Sequence, residues 1–470
     1  MAKENQALNQ PQDITSSMSR VERRASIGLS SIFALRMLGL FMILPVFSLL
    51  AEDLTETTPF LIGVAISIYG LTQAIFQIPF GMLSDHIGRK PVIAAGLLIF
   101  ALGSLLAAFS DSIYGVILGR ALQGSGAIAS AIMALAADLT RETHRTKAMA
   151  MIGISIGFSF AIAVVLGPVV GHWSGIQGVF LVTAILALFG IAVLFWVVPK
   201  PTKCSFHRDT EPVPARFKQV LKNPDLLRLD FGIFTLHLIL TASFVVLPLI
   251  LRNLGVEGDK HWMIYLPVLV LSMAACIPFV IIAEKKRKIK TVFLVAISVV
   301  VLADLGIFQF SESLMATVGF LFLFFTGFNL LEATLPSLIS KIAPADLKGT
   351  AIGVYSTSQF FGAFLGGLCG GWIYGNLGLE NVFLFCTLAA IIWFLVALSM
   401  NSPKHLSSLL LSVGSLKEHE AVLMSKQITE IEGVAEAVVL ADDGVAYLKV
   451  DNTQLDRERL FSLVPQSVEF

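Results

Sequence analysis

Ionisable side chains inside long apolar stretches are the residues of this sequence most able to do chemistry. Each costs about 2.5–3.5 kcal/mol to insert at the centre of a membrane helix, so such side chains are candidates for function. Six of them occur: Arg36, Arg120, Asp138, His237, Asp304 and Glu332. A buried carboxylic acid or imidazole can carry a proton, and a buried arginine can bind an anion or act as a counter-charge.

Glu332 and His237 are the candidates for handling a proton or a substrate. Asn329 lies three residues before Glu332 on the same helical face, and Thr241 lies one turn after His237. A structural ion pair, or a hydrogen bond between helices, is the alternative role for each of them. For Asp304 we interpret the role as structural.

Two polar stripes accompany these residues. Tyr69, Gln73 and Gln77 recur at i, i+4 and i+8, and Tyr355 and Gln359 recur at i and i+4. Residues at this spacing share one face of a helix. The stripes are predicted either to face a cavity and contact substrate, or to bond neighbouring helices.

The elements that hold these residues are membrane helices. The 470-residue chain is 56% hydrophobic and 14% charged, against roughly 45–50% and about 25% for a soluble domain. Its apolar residues form blocks near the roughly 20 residues that a helix needs to cross a bilayer. These blocks predict an all-α membrane protein with twelve transmembrane helices, called spans 1 to 12: 27–50, 60–83, 91–109, 114–138, 147–171, 178–198, 229–252, 261–283, 291–310, 315–340, 349–374 and 380–400.

Positive charge alternates between the loops. Lys and Arg fill the N-terminal tail and the even-numbered loops, from Arg20 in the tail to Lys348 in the tenth loop. The odd-numbered loops carry only Arg252 and Lys260. Because cytoplasmic loops are enriched in Lys and Arg, we predict a multi-pass protein of a bacterial inner membrane with both termini in the cytoplasm.

The spans divide into two six-helix halves at the longest polar interruption. Gly167–Trp173 near the end of span 5 resembles Gly366–Trp372 near the end of span 11, which suggests an internal repeat. Gly-rich stretches are also common in packed membrane helices. The predicted division is an N-terminal tail, an N-terminal half, a cytoplasmic linker, a C-terminal half and a second linker: 1–26, 27–198, 199–228, 229–400 and 401–408.

The last part of the chain, 409–470, changes character. Val434–Leu440 and Val445–Val450 are predicted to be strands around an Asp-Gly turn. With a helix on either side and strands at Leu409–Gly414 and Ser467–Phe470, the order is βαββαβ. We predict a small cytoplasmic ferredoxin-like domain that binds a ligand, self-associates or only stabilises the protein. It lacks a CxxC pair, so no metal site is predicted there.

A Gly-rich charged segment follows span 2: Gly81-Met-Leu-Ser-Asp85-His-Ile-Gly88-Arg89-Lys90. An acid near a helix C-terminus needs a partner because the helix dipole disfavours it there, and Arg89 lies one turn on. The segment matches every fixed position of G-x-L-x-D-x-x-G-R-K. In this respect the sequence resembles the major facilitator superfamily.

Two further motifs extend the resemblance. Arg120-Ala-Leu-Gln-Gly124-Ser-Gly is similar to the family's helix 4 motif, in which Arg120 is interpreted as structural. Gly167-Pro168-Val-Val-Gly171 resembles the helix 5 motif of its drug–proton antiporter group, with His172 in place of a final Gly. The C-terminal ferredoxin-like domain resembles that of one branch of this group.

The resemblance implies a mechanism. Asp85, Arg89 and Asp138 would form a charged latch that locks the cytoplasmic side, and Gly81 would contact span 11 near Gly349. In the family, spans 1, 4, 7 and 10 line a central cavity. The four residues that the sequence places on these spans are Arg36, Arg120, His237 and Glu332.

The predicted function is therefore proton-driven export of small amphipathic or drug-like compounds. No phosphate loop, nucleophile elbow or HExxH occurs in the sequence, so we predict no enzyme, no cofactor beyond the proton gradient, no metal and no nucleic-acid partner. The predicted partners are a small-molecule substrate, protons and the lipid bilayer. The alternatives are a nutrient symporter or uniporter of the same fold, and a membrane sensor that uses its C-terminal domain.

Overall fold

Helices α1 to α14 make up the described chain before its C-terminal segment, and the long apolar helices among them form the membrane part. The structure is a computed structural model that describes residues 17–200, 217–285, 288–344, 347–401, 407–414, 416–441, 444–451 and 454–463. Short 3₁₀ turns occupy Ala51–Asp53 and Gly258–Lys260. The helices are α1 Arg20–Phe41, α2 Phe47–Leu50, α3 Pro59–Ile87, α4 Arg89–Ala108, α5 Ile113–Ser125, α6 Ala129–Asp138, α7 Glu142–Trp196, α8 Phe217–Val220, α9 Pro224–Asn253, α10 Trp262–Lys285, α11 Ile289–Gln309, α12 Leu314–Ile342, α13 Lys348–Leu377 and α14 Glu380–Leu398.

Ten helical stretches of the described chain are long and apolar enough to cross a membrane, against the twelve spans predicted. Predicted spans 5 and 6 both fall in α7, whose 55 residues are helical except at Gly175, with φ at 62°. Predicted span 11 is α13, which is 30 residues long. It is not among the ten, because its many glycines and its polar run from Tyr355 to Gln359 lower its hydropathy.

The two ends of the helix bundle differ in charge. We call the basic end the one where α3 meets α4 at Gly88, where α9 begins at Pro224 and where α13 begins at Lys348. The opposite end is the far end, where Arg252 forms a two-pronged ion pair with Glu52, at 2.6 and 2.9 Å. That pair joins the two predicted halves, so the far end is closed by contacts between them.

Glycines set the distance between α9 and α13. A Cβ at Gly362 would overlap the carbonyl oxygen of Phe234, and one at Gly366 would overlap that of Leu238. The two backbones therefore approach more closely than side chains would allow. This contact brings the polar stripe of α13 against α9.

The C-terminal segment folds as a small α+β unit. Strands β1 (Ser407–Ser412), β2 (Val434–Leu440) and β3 (Val445–Val450) form an antiparallel sheet in the order β1-β3-β2. Helices α15 (Glu418–Thr429) and α16 (Arg457–Ser462) follow β1 and β3. The bounds predicted for β2 and β3 are confirmed. The predicted last strand, Ser467–Phe470, lies outside the described residues, as do Asp442 and Asp443 of the turn.

Strand β3 joins this unit to the membrane part. Ala446, Leu448 and Val450 point into the unit's own core, and Lys449 points the other way and is buried. Its ammonium donates to the carbonyl oxygens of Lys341 at 2.8 Å and Ile342 at 3.3 Å, at the C-terminus of α12. A cation there is favoured by the helix dipole. Burial lowers the pKa of Lys449, and the nearby Glu436 carboxylate opposes that shift.

Candidate functional site

A cluster of three side chains joins α9, α12 and α13. The Gln359 amide nitrogen donates to His237 Nε2 at 2.7 Å. His237 Nδ1 lies 3.2 Å from the carbonyl oxygen of Ile233 one turn earlier. Since an amide nitrogen is only a donor, His237 accepts at Nε2 and carries its proton on Nδ1. The imidazole is thus neutral in this arrangement.

Glu332 completes the cluster. Its Oε1 lies 3.4 Å from His237 Nε2 and is buried with no hydrogen-bond partner among the described residues. A carboxylate oxygen and an acceptor nitrogen at this distance repel each other unless a proton lies between them. The pair is therefore arranged to take up one proton.

The other polar residues predicted for this half lie apart from that pair. Asn329 donates to Ser272 of α10 at 3.0 Å, because three residues along a helix is a rotation of about 300° rather than a full turn. The hydroxyl of Tyr355 is buried with no hydrogen-bond partner in the described chain. It interacts electrostatically with Glu332 and with Asp230.

The N-terminal half holds a second buried cluster. Arg36 donates to Gln73 Oε1 at 2.7 Å and to the Gly126 carbonyl at 3.1 Å. Gln73 also accepts from the Tyr69 hydroxyl at 3.2 Å and donates to Gln77 at 3.3 Å. The stripe on α3 therefore bonds neighbouring side chains, and Gln77 extends it to the cavity wall.

Arg120 belongs to the same cluster. Its guanidinium donates to the carbonyl oxygens of Ala65 and Ile66 and to the Gln123 side chain, at 2.9–3.2 Å. It also lies 5.2 Å from the centre of the Tyr69 ring. Three neutral acceptors and an aromatic face stabilise the buried charge. This geometry supports the structural interpretation of Arg120.

A central cavity of about 250 Å³ lies between the two clusters. Apolar and aromatic side chains dominate its wall, and the polar groups come from both halves. It reaches toward the basic end as far as Gly349. Its wall includes Phe33, Met37, Phe41, Tyr69, Gln77, Arg120, Met133, His237, Thr241, Gln359 and Phe360.

The three charged residues of the predicted latch pair with one another at the basic end, and these pairs lie within the N-terminal half. Arg89 is 2% exposed; it pairs with Asp85, with Asp138 at 3.3 Å and with Ser84 at 2.8 Å. Gly88 has φ at 97°, which separates α3 from α4. Lys90 donates to the carbonyl oxygens of Leu194 and Val198 at the end of α7.

Gly81 does not make its predicted contact with α13 in this structure. Among the described residues, the nearest atoms to a Cβ built there belong to Ser130, at 3.1 Å. The reason is that α3 and α13 pack at the far end, around Gly63 and Gly367. The basic ends of α3 and α13 lie on either side of the cavity.

The motif glycines in the N-terminal half lie at helix contacts. A Cβ at Gly124 would overlap the Tyr69 carbonyl oxygen, and one at Gly167 would overlap that of Met42. Gly171 faces Leu50, and Pro168 lies within α7 without breaking it. These residues position α5 and α7 against α3 and the end of α1.

Sequence reasoning missed two features. Asp230 is 5% exposed with no hydrogen-bond partner for its carboxylate among the described residues. It was overlooked because it lies at the edge of its apolar block. The Glu52–Arg252 pair was also missed, because only the fold brings together residues 200 positions apart. Asp304, also buried, lies near Cys386 of α14 rather than at the cavity.

Comparison with known proteins places these features in a family. The model of the Major Facilitator Superfamily matches residues 29–367. The inner membrane transport protein YajR of Escherichia coli (strain K12) is 47% identical over 451 residues, covering 96% of this chain and 99% of that protein. The multidrug resistance protein MdtH of Sodalis glossinidius is 23% identical over 368 residues, covering 76% and 88%.

A solved structure shows the same fold. A bacterial homologue of the human lysosomal transporter Spinster, in an inward-facing and occupied conformation, matches with a TM-score of 0.66 and 12% identity. The match covers 81% of this chain and 97% of that one. The family model matches most of the membrane part and the Escherichia coli relative aligns almost end to end, so the chain belongs to the major facilitator superfamily of membrane transporters.

Proposed function

We propose that the protein is a proton-driven antiporter that exports small amphipathic or drug-like compounds by alternating access. The observation that carries this proposal is the neutral His237 facing Glu332 across 3.4 Å beside the cavity. The pair takes up a proton, and His237 lies in the cavity wall. A proton and a cargo molecule can thus affect each other's binding.

Gln359 is the link between proton and cargo. In the deprotonated pair it donates to His237 Nε2. A proton on Nε2 turns that atom into a donor toward Glu332, and two donors cannot share the bond. Gln359 must then turn away, and since it also lines the cavity, the cavity wall changes with protonation.

The difference between the two ends of the bundle supports alternating access. The far end is closed by the Glu52–Arg252 pair and by Ser48, which donates to the Val245 carbonyl at 2.7 Å. The cavity reaches toward the basic end instead. The positive-inside rule puts the basic end, and both termini, in the cytoplasm. This conformation is then the one that exchanges cargo and protons with the cytoplasm.

The full architecture proposed is twelve spans in two halves of six. Counting α7 as two helices around Gly175, and adding α13 to the ten apolar stretches, gives this number. The strand order β1-β3-β2, with α15 and α16 following β1 and β3, fits a ferredoxin-like domain. The name of the Escherichia coli relative supports an inner-membrane location.

The relatives support the class of cargo. The multidrug resistance protein of Sodalis aligns over most of this chain, and the class B tetracycline resistance protein of Escherichia coli is 31% identical over 166 residues. An apolar, aromatic cavity wall with a few polar groups suits such compounds.

Proton flux in liposomes tests the proposal. Purified protein is reconstituted with a pH dye trapped inside, a proton gradient is imposed, and tetracycline, ethidium and neutral or acidic aromatic compounds are added in turn. We expect compound-dependent proton movement that Glu332→Gln abolishes. The matched control is Asp304→Asn, which neutralises a buried acid away from the cavity and should leave the coupling intact. Proton movement that persists in Glu332→Gln, or coupling with the opposite direction of cargo movement, would refute the assignment.

A further inference from the structure

We infer that Asp230 and Tyr355 form a proton exit route that runs behind the cavity wall from Glu332 to the cytoplasm. The inference rests on the proposed function and extends it, because it separates the path of the proton from that of the cargo. An antiporter open to the cytoplasm must release a proton while cargo enters. A second route lets both steps occur at once.

The first support is that three polar groups on the packed helices α9, α12 and α13 are left without hydrogen-bond partners in the described chain. The carboxylate oxygens of Asp230, the Tyr355 hydroxyl and Glu332 Oε1 are all buried with no hydrogen-bond partner among the described residues. Tyr355 interacts electrostatically with both carboxylates. Buried polar groups are rarely left without partners, so this arrangement needs an explanation.

The second support is the depth of each group. At a rise of 1.5 Å per residue, Asp230 and Tyr355 lie about 9–11 Å from the ends of α9 and α13 at the basic end. Glu332 lies about 15 Å, and His237 about 20 Å, from the same end. The groups therefore form a series from the centre of the bundle toward the cytoplasm.

The third support is that the lower part of this series is closed off from the cavity. His237 and Gln359 line the cavity and the Glu332 side chain is 34% exposed, whereas Tyr355 and Asp230 are each only 5% exposed. The close packing of α9 on α13 around Gly362 separates the two paths. Cargo in the cavity would not block a proton that moves along this series.

The transfer is balanced within these three groups. A proton passes from the Glu332 carboxyl through bridging water to the Tyr355 oxygen, as the tyrosine's own hydroxyl proton passes through a second water to the Asp230 carboxylate. Tyr355 is regenerated, and Asp230 releases its proton to water at the basic end.

Other charged and polar groups lie near this end of the route. On α9 itself, Asp225 and Arg228 pair with each other at 2.7 Å near that end. The neighbouring α14 presents the Trp393 indole near Gly232.

The experiment follows deprotonation of Glu332 with the cavity plugged. In a full chain whose four cysteines are replaced by serine, Ala129→Cys in the cavity wall is labelled with pyrene maleimide. The purified protein is mixed rapidly from acidic to alkaline buffer, and the infrared carboxyl band of Glu332, identified by its absence in Glu332→Gln, is followed in time. No cargo is needed, because the proton is the probe.

We expect the plug to leave the rate nearly unchanged in the parent. In the plugged protein, Asp230→Asn and Tyr355→Phe should each slow deprotonation about tenfold or more, and Asp230→Glu should restore it. Asp304→Asn is the matched control and should have no effect. If Asp230→Asn does not fold, Tyr355→Phe still tests the route.

Two results would overturn the route. One is an unchanged rate in plugged Asp230→Asn and Tyr355→Phe. The other is a plugged parent that is already as slow as these variants, because the proton would then leave through the cavity. A Glu332 band that does not respond to pH would refute the proposed function as well, whereas either of the first two results refutes the exit route alone.

Discussion

Neutralising the two acids of the latch one at a time should lower the transport rate in both variants but lower the protein's stability in only one of them. Asp138 and Arg89 are buried, with side chains 0% and 2% exposed, whereas the Asp85 side chain is 29% exposed. Losing a buried hydrogen bond between charged groups costs about 1.5–3 kcal/mol. Both acids lie near helix C-termini, so neutralising either one returns about 0.3–1 kcal/mol from the helix dipole.

The expected net change in the free energy of unfolding differs between the two variants. For Asp138→Asn the net loss in the free energy of unfolding is about 0.5–2.7 kcal/mol. For Asp85→Asn the pair is partly in water and is worth about 0.5–1 kcal/mol, which the dipole term nearly cancels. Both variants weaken the latch and should lower the transport rate, but only Asp138→Asn should measurably destabilise the protein.

Titration with SDS in mixed micelles, followed by circular dichroism, measures the unfolding free energy. Transport rate is measured in liposomes with the same preparations. Asp225→Asn is the matched control, since its pair with Arg228 is 26% exposed on both sides and lies away from the latch. Equal stability losses for both acid variants, or a wild-type transport rate in Asp85→Asn, would refute the reasoning.

Three other contacts give predictions. Arg252→Gln removes the exposed far-end pair with Glu52 and should raise the far-end-open population about two- to fivefold, measured by cysteine labelling in the far half of the cavity. Lys449→Met should release the C-terminal unit from α12, seen as faster proteolysis at the linker with unchanged melting of the membrane part. Gly366→Leu would overlap the Leu238 carbonyl oxygen and should abolish coupled transport and lower the melting temperature, whereas Gly319→Leu, where a Cβ meets nothing, should do neither.

The helices could be predicted because the bilayer restricts the possibilities. A chain in hydrocarbon must satisfy its backbone hydrogen bonds internally, so an apolar block of about 20 residues is a helix. Predicted span 3 at 91–109 and α4 at Arg89–Ala108 differ by two residues at most. The same reasoning is weaker for α13, whose polar residues contact other helices and the cavity instead of lipid.

The candidate site could be predicted only in part. The sequence placed His237 and Glu332 on spans that face a cavity, but it could not place Gln359 against His237. That contact depends on Gly362 and Gly366, which allow α9 and α13 to approach. Gly362 and Gly366 are two of 37 glycines in the sequence, and only the packed structure shows which of them lie between helices.

Asp230 and Asp304 show why burial alone does not identify a proton-carrying residue. Both are buried acids in the same half, and neither carboxylate has a hydrogen-bond partner among the described residues. Asp304 lies on α11 near the Cys386 thiol, with no described link to the cavity cluster. Asp230 lies on the helix that carries His237 and interacts with Tyr355, which also interacts with Glu332. The chemistry of the two side chains is the same, so their neighbours decide which of them can pass a proton onward.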